Sequence, residues 1–80
     1  MPKLRRISGK NLLQILLAEG FLKIRQKGSH ARLVMKVGKV AYFITIPLHE
    51  ELDRGTLKSI LRSLERCFSD DKLKKIFYTR

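Results

Sequence analysis

The sequence predicts a small α+β domain with the element order α-β-β-β-α and a short terminal helix. Three observations predict it. Apolar residues recur at helical spacing near both ends of the chain, they alternate with polar residues in the middle, and glycine-containing pairs cut that middle into three runs. Ser8 is placed to cap a first helix, whose apolar positions are Leu12, Leu13, Ile15, Leu16 and Leu17, and Gly20 is placed to end it. Strands are predicted from Phe21 to Lys27, His30 to Val37 and Val40 to Ile46. Gly28-Ser29 and Gly38-Lys39 are short enough to be hairpin turns, and Pro47 cannot continue a ladder. Leu48 to Gly55 reads as a polar loop. From Thr56, Leu57, Ile60, Leu61, Leu64 and Phe68 mark one face of a second helix. Ser69-Asp70-Asp71 is a fresh cap, followed by Leu73, Ile76 and Phe77 on the buried side of a last helix, with both acids at its positive end. An antiparallel three-stranded sheet with helices on one face packs this order economically.

Length and charge narrow the function. Eighty residues make one domain, expected to span 1–80, which buries roughly 60% of its unfolded surface. Eighteen Lys and Arg against seven Asp and Glu give a formal charge of +11 at pH 7. That excess argues against an ordinary neutral metabolic enzyme and for a polyanionic partner. The apolar fraction of 44% is too high for a disordered basic tail. Residues 1–47 hold ten basic residues and one acid, so the first half carries the field. The single Cys67 cannot form an internal disulfide, which suits a reducing compartment. No apolar run approaches the ~20 residues of a membrane span, and the basic start from Met1 to Arg6 leads into an amphipathic pattern rather than a signal-peptide core. The expectation is a soluble, cytoplasmic, anion-seeking domain with no membrane partner.

Strand parity describes the open face. With Leu33, Met35 and Val37 turned toward the helices, His30, Arg32, Val34 and Lys36 turn away. Leu22 and Ile24 inward would send Lys23, Arg25 and Lys27 outward, and Tyr42, Ile44 and Ile46 inward would leave Ala41, Phe43 and Thr45 outside. The outer face is then a basic plate bearing one imidazole.

An imidazole titrates near neutral pH and can take and return a proton during phosphodiester cleavage, so His30 is the candidate catalytic residue. Arg25, Lys27, Arg32 and Lys36 around it would hold phosphate and stabilise developing charge. The alternative is an exposed strand histidine without a role. Gly28-Ser29 would let the backbone approach a phosphate, or would simply make the turn. His49, in the loop after Pro47, would complete an RNase-type pair if that loop folds back on the sheet; otherwise it is a solvated loop residue. Gly55-Thr56 beside Arg54 and Lys58 offers a positive helix end to a phosphate, with plain capping as the alternative. Lys58, Arg62 and Arg66 form a stripe that is a solvated face by default. The histidines and Cys67 show no zinc spacing, Glu50, Glu51 and Asp53 suit an exposed loop better than a metal site, and no phosphate-binding glycine loop or nucleophile elbow is present. No metal or cofactor is expected.

Several motifs together resemble the HicA family of toxin mRNA interferases. They are Ser8-Gly9-Lys10 before an apolar helix, Gly20-Phe21 after it, Arg25-Gln26-Lys27-Gly28-Ser29-His30, Ile46-Pro47-Leu48-His49, and Gly55-Thr56-Leu57-Lys58-Ser59-Ile60-Leu61. The resemblance covers roughly residues 8 to 64 in unbroken order. It departs from the family pattern at Ala31, where another histidine or polar residue often follows the motif, and at the end of the second helix, which runs on through Glu65-Arg66-Cys67-Phe68 without the usual glycine. The resemblance implies the fold of double-stranded-RNA-binding domains and a metal-independent endoribonuclease acting on mRNA, with His30 as its catalytic residue. The RNA contacts expected from the residues themselves are Lys10, Arg25, Lys27, Gly28, Ser29, Arg32 and Lys36. Since one imidazole cannot comfortably do both proton transfers, His49, Lys27, Lys10 or a water would assist. By the resemblance, the partners would be mRNA and a HicB-type antitoxin that covers the histidine. Two other readings stay open on the sequence: a module of the same fold that holds double-stranded RNA without cutting it, and a protein whose positive face docks an acidic partner.

Overall fold

A computed structural model describes residues 3–79. Met1, Pro2 and Arg80, and with them both ends of the expected 1–80 domain, lie outside the described residues. The chain runs β1 (Lys3–Leu4), α1 (Gly9–Ala18), β2 (Leu22–Lys27), β3 (His30–Val37), β4 (Val40–Pro47), α2 (Arg54–Leu64), α3 (Asp70–Phe77) and β5 (Tyr78–Thr79). The α+β class and the α-β-β-β-α order are as the sequence predicts. The two outermost strands are additions, since two-residue elements carry no periodic signal: β1 pairs antiparallel with β5 and ties the ends of the described chain together.

Each helix starts where a side chain accepts an otherwise unpaired backbone N–H. The Ser8 hydroxyl accepts from Asn11 N at 3.0 Å, the Asp53 carboxylate from Thr56 N at 2.7 Å and the Ser69 hydroxyl from Lys72 N at 3.2 Å. Asp53 moves the start of α2 to Arg54, ahead of the predicted Thr56. The core holds Leu12, Leu13 and Leu16 of α1, Leu57, Ile60 and Leu64 of α2, and Leu73, Ile76 and Phe77 of α3. These meet Ala31, Leu33, Ile44 and Ile46 from the sheet. Phe21 and Phe68 join edge to face with ring centres 5.9 Å apart, and Lys72 ties α3 to Glu19 at the end of α1 at 2.9 Å. Leu61 is only half-buried, so the second helix's core face is narrower than its spacing suggests.

The sheet order is β2-β3-β4, antiparallel throughout. Ala31 lies opposite Ile46, Leu33 opposite Ile44 and Met35 opposite Tyr42 on the inner face. His30 opposite Pro47, Arg32 opposite Thr45, Val34 opposite Phe43 and Lys36 opposite Ala41 make the outer face. Parity therefore holds in β3 and β4, although Val37, near the hairpin tip, stands in solvent.

Parity fails at the start of β2. The register shifts between Lys23 and Arg25, so an extra residue, Ile24, is inserted there. Beyond it, Arg25 lies opposite Arg32 and Lys27 opposite His30, on the outer face as predicted. Before it, Leu22 lies opposite Val34 and Lys23 opposite Leu33, so Leu22 shares the outer face and Lys23 the inner. Every residue of β2 is exposed, Leu22 at 67% and Ile24 at 52%. Among the helices, α1 and α2 pack on β4 rather than on β2, which leaves β2 without a core beneath it.

Candidate active site

The first residue of β3 is His30, presented on the outer face where the β2–β3 hairpin turns. It lines a shallow recess of about 230 Å³ together with Arg25, Lys27, Arg32 and Thr45. Three cations and an imidazole from β2 and β3 thus share one concavity, with Thr45 of β4 beside them. Arg32 is held in place there: its guanidinium donates to Thr45 Oγ1 at 3.4 Å and lies over the Phe43 ring, 5.1 Å from its centre. A cation over an exposed ring contributes about 0.5–1 kcal/mol, enough to bias a long side chain toward one orientation. Thr45 and Phe43 are therefore parts of the site that charge patterning alone does not mark.

The turn before His30 explains its glycine. Gly28 has φ +57°, a left-handed conformation that favours glycine, and the space where its Cβ would sit is open. The backbone of Ser29 has a task of its own, since its carbonyl accepts from Leu48 N at 2.6 Å. That bond adds one rung to the β3–β4 pairing beyond His30 opposite Pro47 and keeps the segment after β4 against the hairpin.

This folded-back segment brings the second histidine to the first. The His30 and His49 ring centres are 6.3 Å apart, with ring planes 75° from each other. Two further backbone bonds fix the loop: Gly9 N donates to His49 O at 2.9 Å, and Leu52 N donates to Ile7 O at 2.9 Å. Leu52 is buried and Asp53 caps α2, so the loop is anchored at both ends. The approach of α1 depends on Gly9. A Cβ at Gly9 would overlap the Pro47 carbonyl oxygen and stand 2.8 Å from Leu48 Cα. In the sequence, Gly9 stands out only as part of the Ser8-Gly9-Lys10 motif. The readable signal is a glycine at a helical position, which weakens a helix by roughly 0.5–1 kcal/mol relative to alanine unless close approach requires it.

The other expected residues separate into near and far. Lys10 follows Gly9 in the first turn of α1 and is exposed. Lys36 is on the outer face but six positions along β3 from His30, about 20 Å at a rise of ~3.3 Å per residue, so it does not line the recess. Lys23 is removed from the plate by the bulge. Ala31 is fully buried opposite Ile46, so it points away from His30. The start of α2 lines a larger groove of about 640 Å³ with Arg54 and Lys58, together with Arg5, Arg6 and the acids Glu51 and Asp53. There the Asp53 carboxylate already takes the Thr56 N–H, so capping accounts for that helix end. The backbone N–H of Thr56 holds the Asp53 carboxyl below the usual carboxylate range, with the His49 charge contributing in the same direction. Burial pushes the Cys67 thiol up, as fits a small half-buried residue with no base beside it. Among the described residues, no three His, Cys, Asp or Glu side chains gather as a metal site, and no helix is long and apolar enough to cross a membrane.

Comparison with family models places residues 9–65 in the family described as the HicA toxin of bacterial toxin–antitoxin systems. The match takes in the recess, the folded-back loop and all of α2. The chain belongs to the HicA toxin family. No curated protein and no solved structure matches it. Membership makes this HicA-family chain the toxin of a toxin–antitoxin pair, and it agrees with the resemblance carried by the Gly-Ser-His and Gly-Thr-Leu-Lys-Ser-Ile-Leu motifs.

Proposed function

We propose that this HicA toxin is a metal-independent endoribonuclease that cleaves mRNA in the cytoplasm, with His30 as its catalytic residue. One observation carries the reading: an exposed imidazole shares a recess with Arg25, Lys27 and Arg32. Phosphodiester cleavage needs a group that moves a proton at the ribose 2′-hydroxyl or at the leaving 5′-oxygen, and cations that balance charge on the phosphorus oxygens. The recess supplies both kinds of group. Lys10 and the backbone at Gly28-Ser29 extend the RNA contact around it, and Lys36 meets the strand farther along.

The toxin's partner is a HicB-type antitoxin that covers His30. Support comes from the outer face, where Leu22, Val34 and Phe43 form a row across the three strands. Phe43 is 53% exposed and Leu22 67%, and exposed apolar side chains grouped beside a charged recess suit a protein partner.

Inducible expression tests the reading in cells. Growth should stop and mRNA should be degraded on induction of the wild type, and co-expression of the antitoxin should relieve both. His30→Ala should be harmless while still folding and still binding the antitoxin. RNA that is bound but left intact would instead make the chain a binding module of the same fold.

A further inference from the structure

We propose that His49 is a second catalytic residue, acting as the general acid opposite His30 as the general base, and that Gly9 is the residue that positions it. This rests on the reading that the toxin cleaves RNA. The two rings stand 6.3 Å apart and nearly perpendicular. No hydrogen bond joins them, so neither imidazole consumes the other's nitrogens. Both residues are exposed at this spacing, so a phosphodiester laid across the two rings from the solvent side would be shared by them, with proton transfer at the ~2.6–3.2 Å reach it requires. His49 is exposed, yet its backbone is fixed by Gly9 N on its own carbonyl and by Leu48 N on Ser29 O. A solvated loop residue needs no such attachment to the hairpin that carries His30.

The charges around the pair divide the labour. The recess around His30 is lined by Arg25, Lys27 and Arg32 and by no acid. On the other side, His49 shares its loop with Glu50, Glu51 and the Asp53 carboxylate that caps α2. A group that begins the reaction as a cation is better accommodated beside the carboxylate than among three cations. The step then balances. His30 takes the 2′-hydroxyl proton as O2′ attacks phosphorus, the P–O5′ bond breaks, and His49 gives its proton to the leaving O5′. The products are a 2′,3′-cyclic phosphate and a 5′-hydroxyl, and exchange with water restores both imidazoles.

The test uses the full chain and two RNA oligonucleotides. One is unmodified, and the other carries sulfur in place of the bridging 5′-oxygen at the bond the wild type cuts. A thiolate, whose thiol titrates near ~8.5, leaves without needing a proton. His49→Ala should cut the oxygen substrate about 10²–10⁴-fold more slowly than the wild type and cut the sulfur substrate at nearly the wild-type rate. His30→Ala should be slow on both. Thermal melting and RNA affinity confirm that the variants are folded, and His49→Gln replaces His49→Ala if the latter is not. Wild-type cleavage of the oxygen substrate by both His49 variants overturns the inference and leaves the ribonuclease reading standing. Equal slowing on both substrates overturns it too, since it reports lost positioning rather than a lost acid. A wild type that cuts neither substrate overturns both readings.

Discussion

Gly9→Ala tests how the histidine loop is held. The added Cβ would meet backbone atoms, the Pro47 carbonyl oxygen and Leu48 Cα, rather than the yielding end of a side chain. Overpacking of this kind typically costs about 1–3 kcal/mol. If the start of α1 retreats, the bond from Gly9 N to His49 O goes with it, a further ~0.5–1.5 kcal/mol. Alanine's better helix propensity returns only ~0.5–1 kcal/mol. The balance is destabilising by roughly 1–3 kcal/mol, and a domain of this size loses about 4–8 °C in Tm per kcal/mol. Gly55→Ala is the matched control. Gly55 is also in the first turn of a helix, but its Cβ would meet only Asp53 Oδ1, at an ordinary 3.7 Å. Thermal melts should therefore move in opposite directions, down for Gly9→Ala and up for Gly55→Ala. Cleavage by Gly9→Ala at a temperature where it is folded should also fall, since a shift of ~1 Å in a catalytic group can cost 10²-fold. A Gly9→Ala protein that melts at or above the wild type would refute the close approach of α1 to Pro47-Leu48.

Three further outcomes are expected. Leu64 is 1% exposed, so Leu64→Ala should cost about 2–5 kcal/mol in denaturant unfolding, and the half-buried Leu61 should cost clearly less on the same change; equal costs would contradict the assigned face. Charge reversal at Arg25 and Lys27 should weaken RNA binding and flatten the salt dependence by roughly 0.7–0.9 per lost phosphate contact, whereas Lys23→Glu, on the other face, should change little in a filter-binding titration. Asp53 has its carboxyl held low by Thr56 N in the folded chain, so its contribution is complete above the ordinary carboxyl range and is lost as pH falls through the folded value. The Tm advantage of the wild type over Asp53→Asn should accordingly shrink on acidification, and a gap independent of pH would contradict the cap's charge.

Helices and hairpins are legible in the sequence because their signals are local. Ser8 and Ser69 cap where they stand, and Gly28 and Gly38 turn where they stand. The outward set of β3 and β4 follows from alternation, since a core lies beneath those strands. Alternation misleads in β2 because Leu22 and Ile24 look like core residues, while their burial depends on helices that pack elsewhere, and an inserted residue leaves no mark in composition. The site is legible in the same measure. Arg25, Lys27, His30 and Arg32 come together because neighbouring strands place them, whereas Lys36 has the right parity and the wrong distance. The approach of His49 was not legible from its own residue, because backbone bonds from Leu48 and Gly9 create it and backbone groups look alike at every position.

Cleavage of RNA by the purified toxin, freed of antitoxin and assayed with excess EDTA beside His30→Ala, tests the central claim most directly. The account predicts wild-type cleavage that persists in the chelator, and a His30→Ala protein that binds the same RNA but cuts it at least ~10²-fold more slowly. Cleavage by His30→Ala at the wild-type rate would contradict the catalytic assignment.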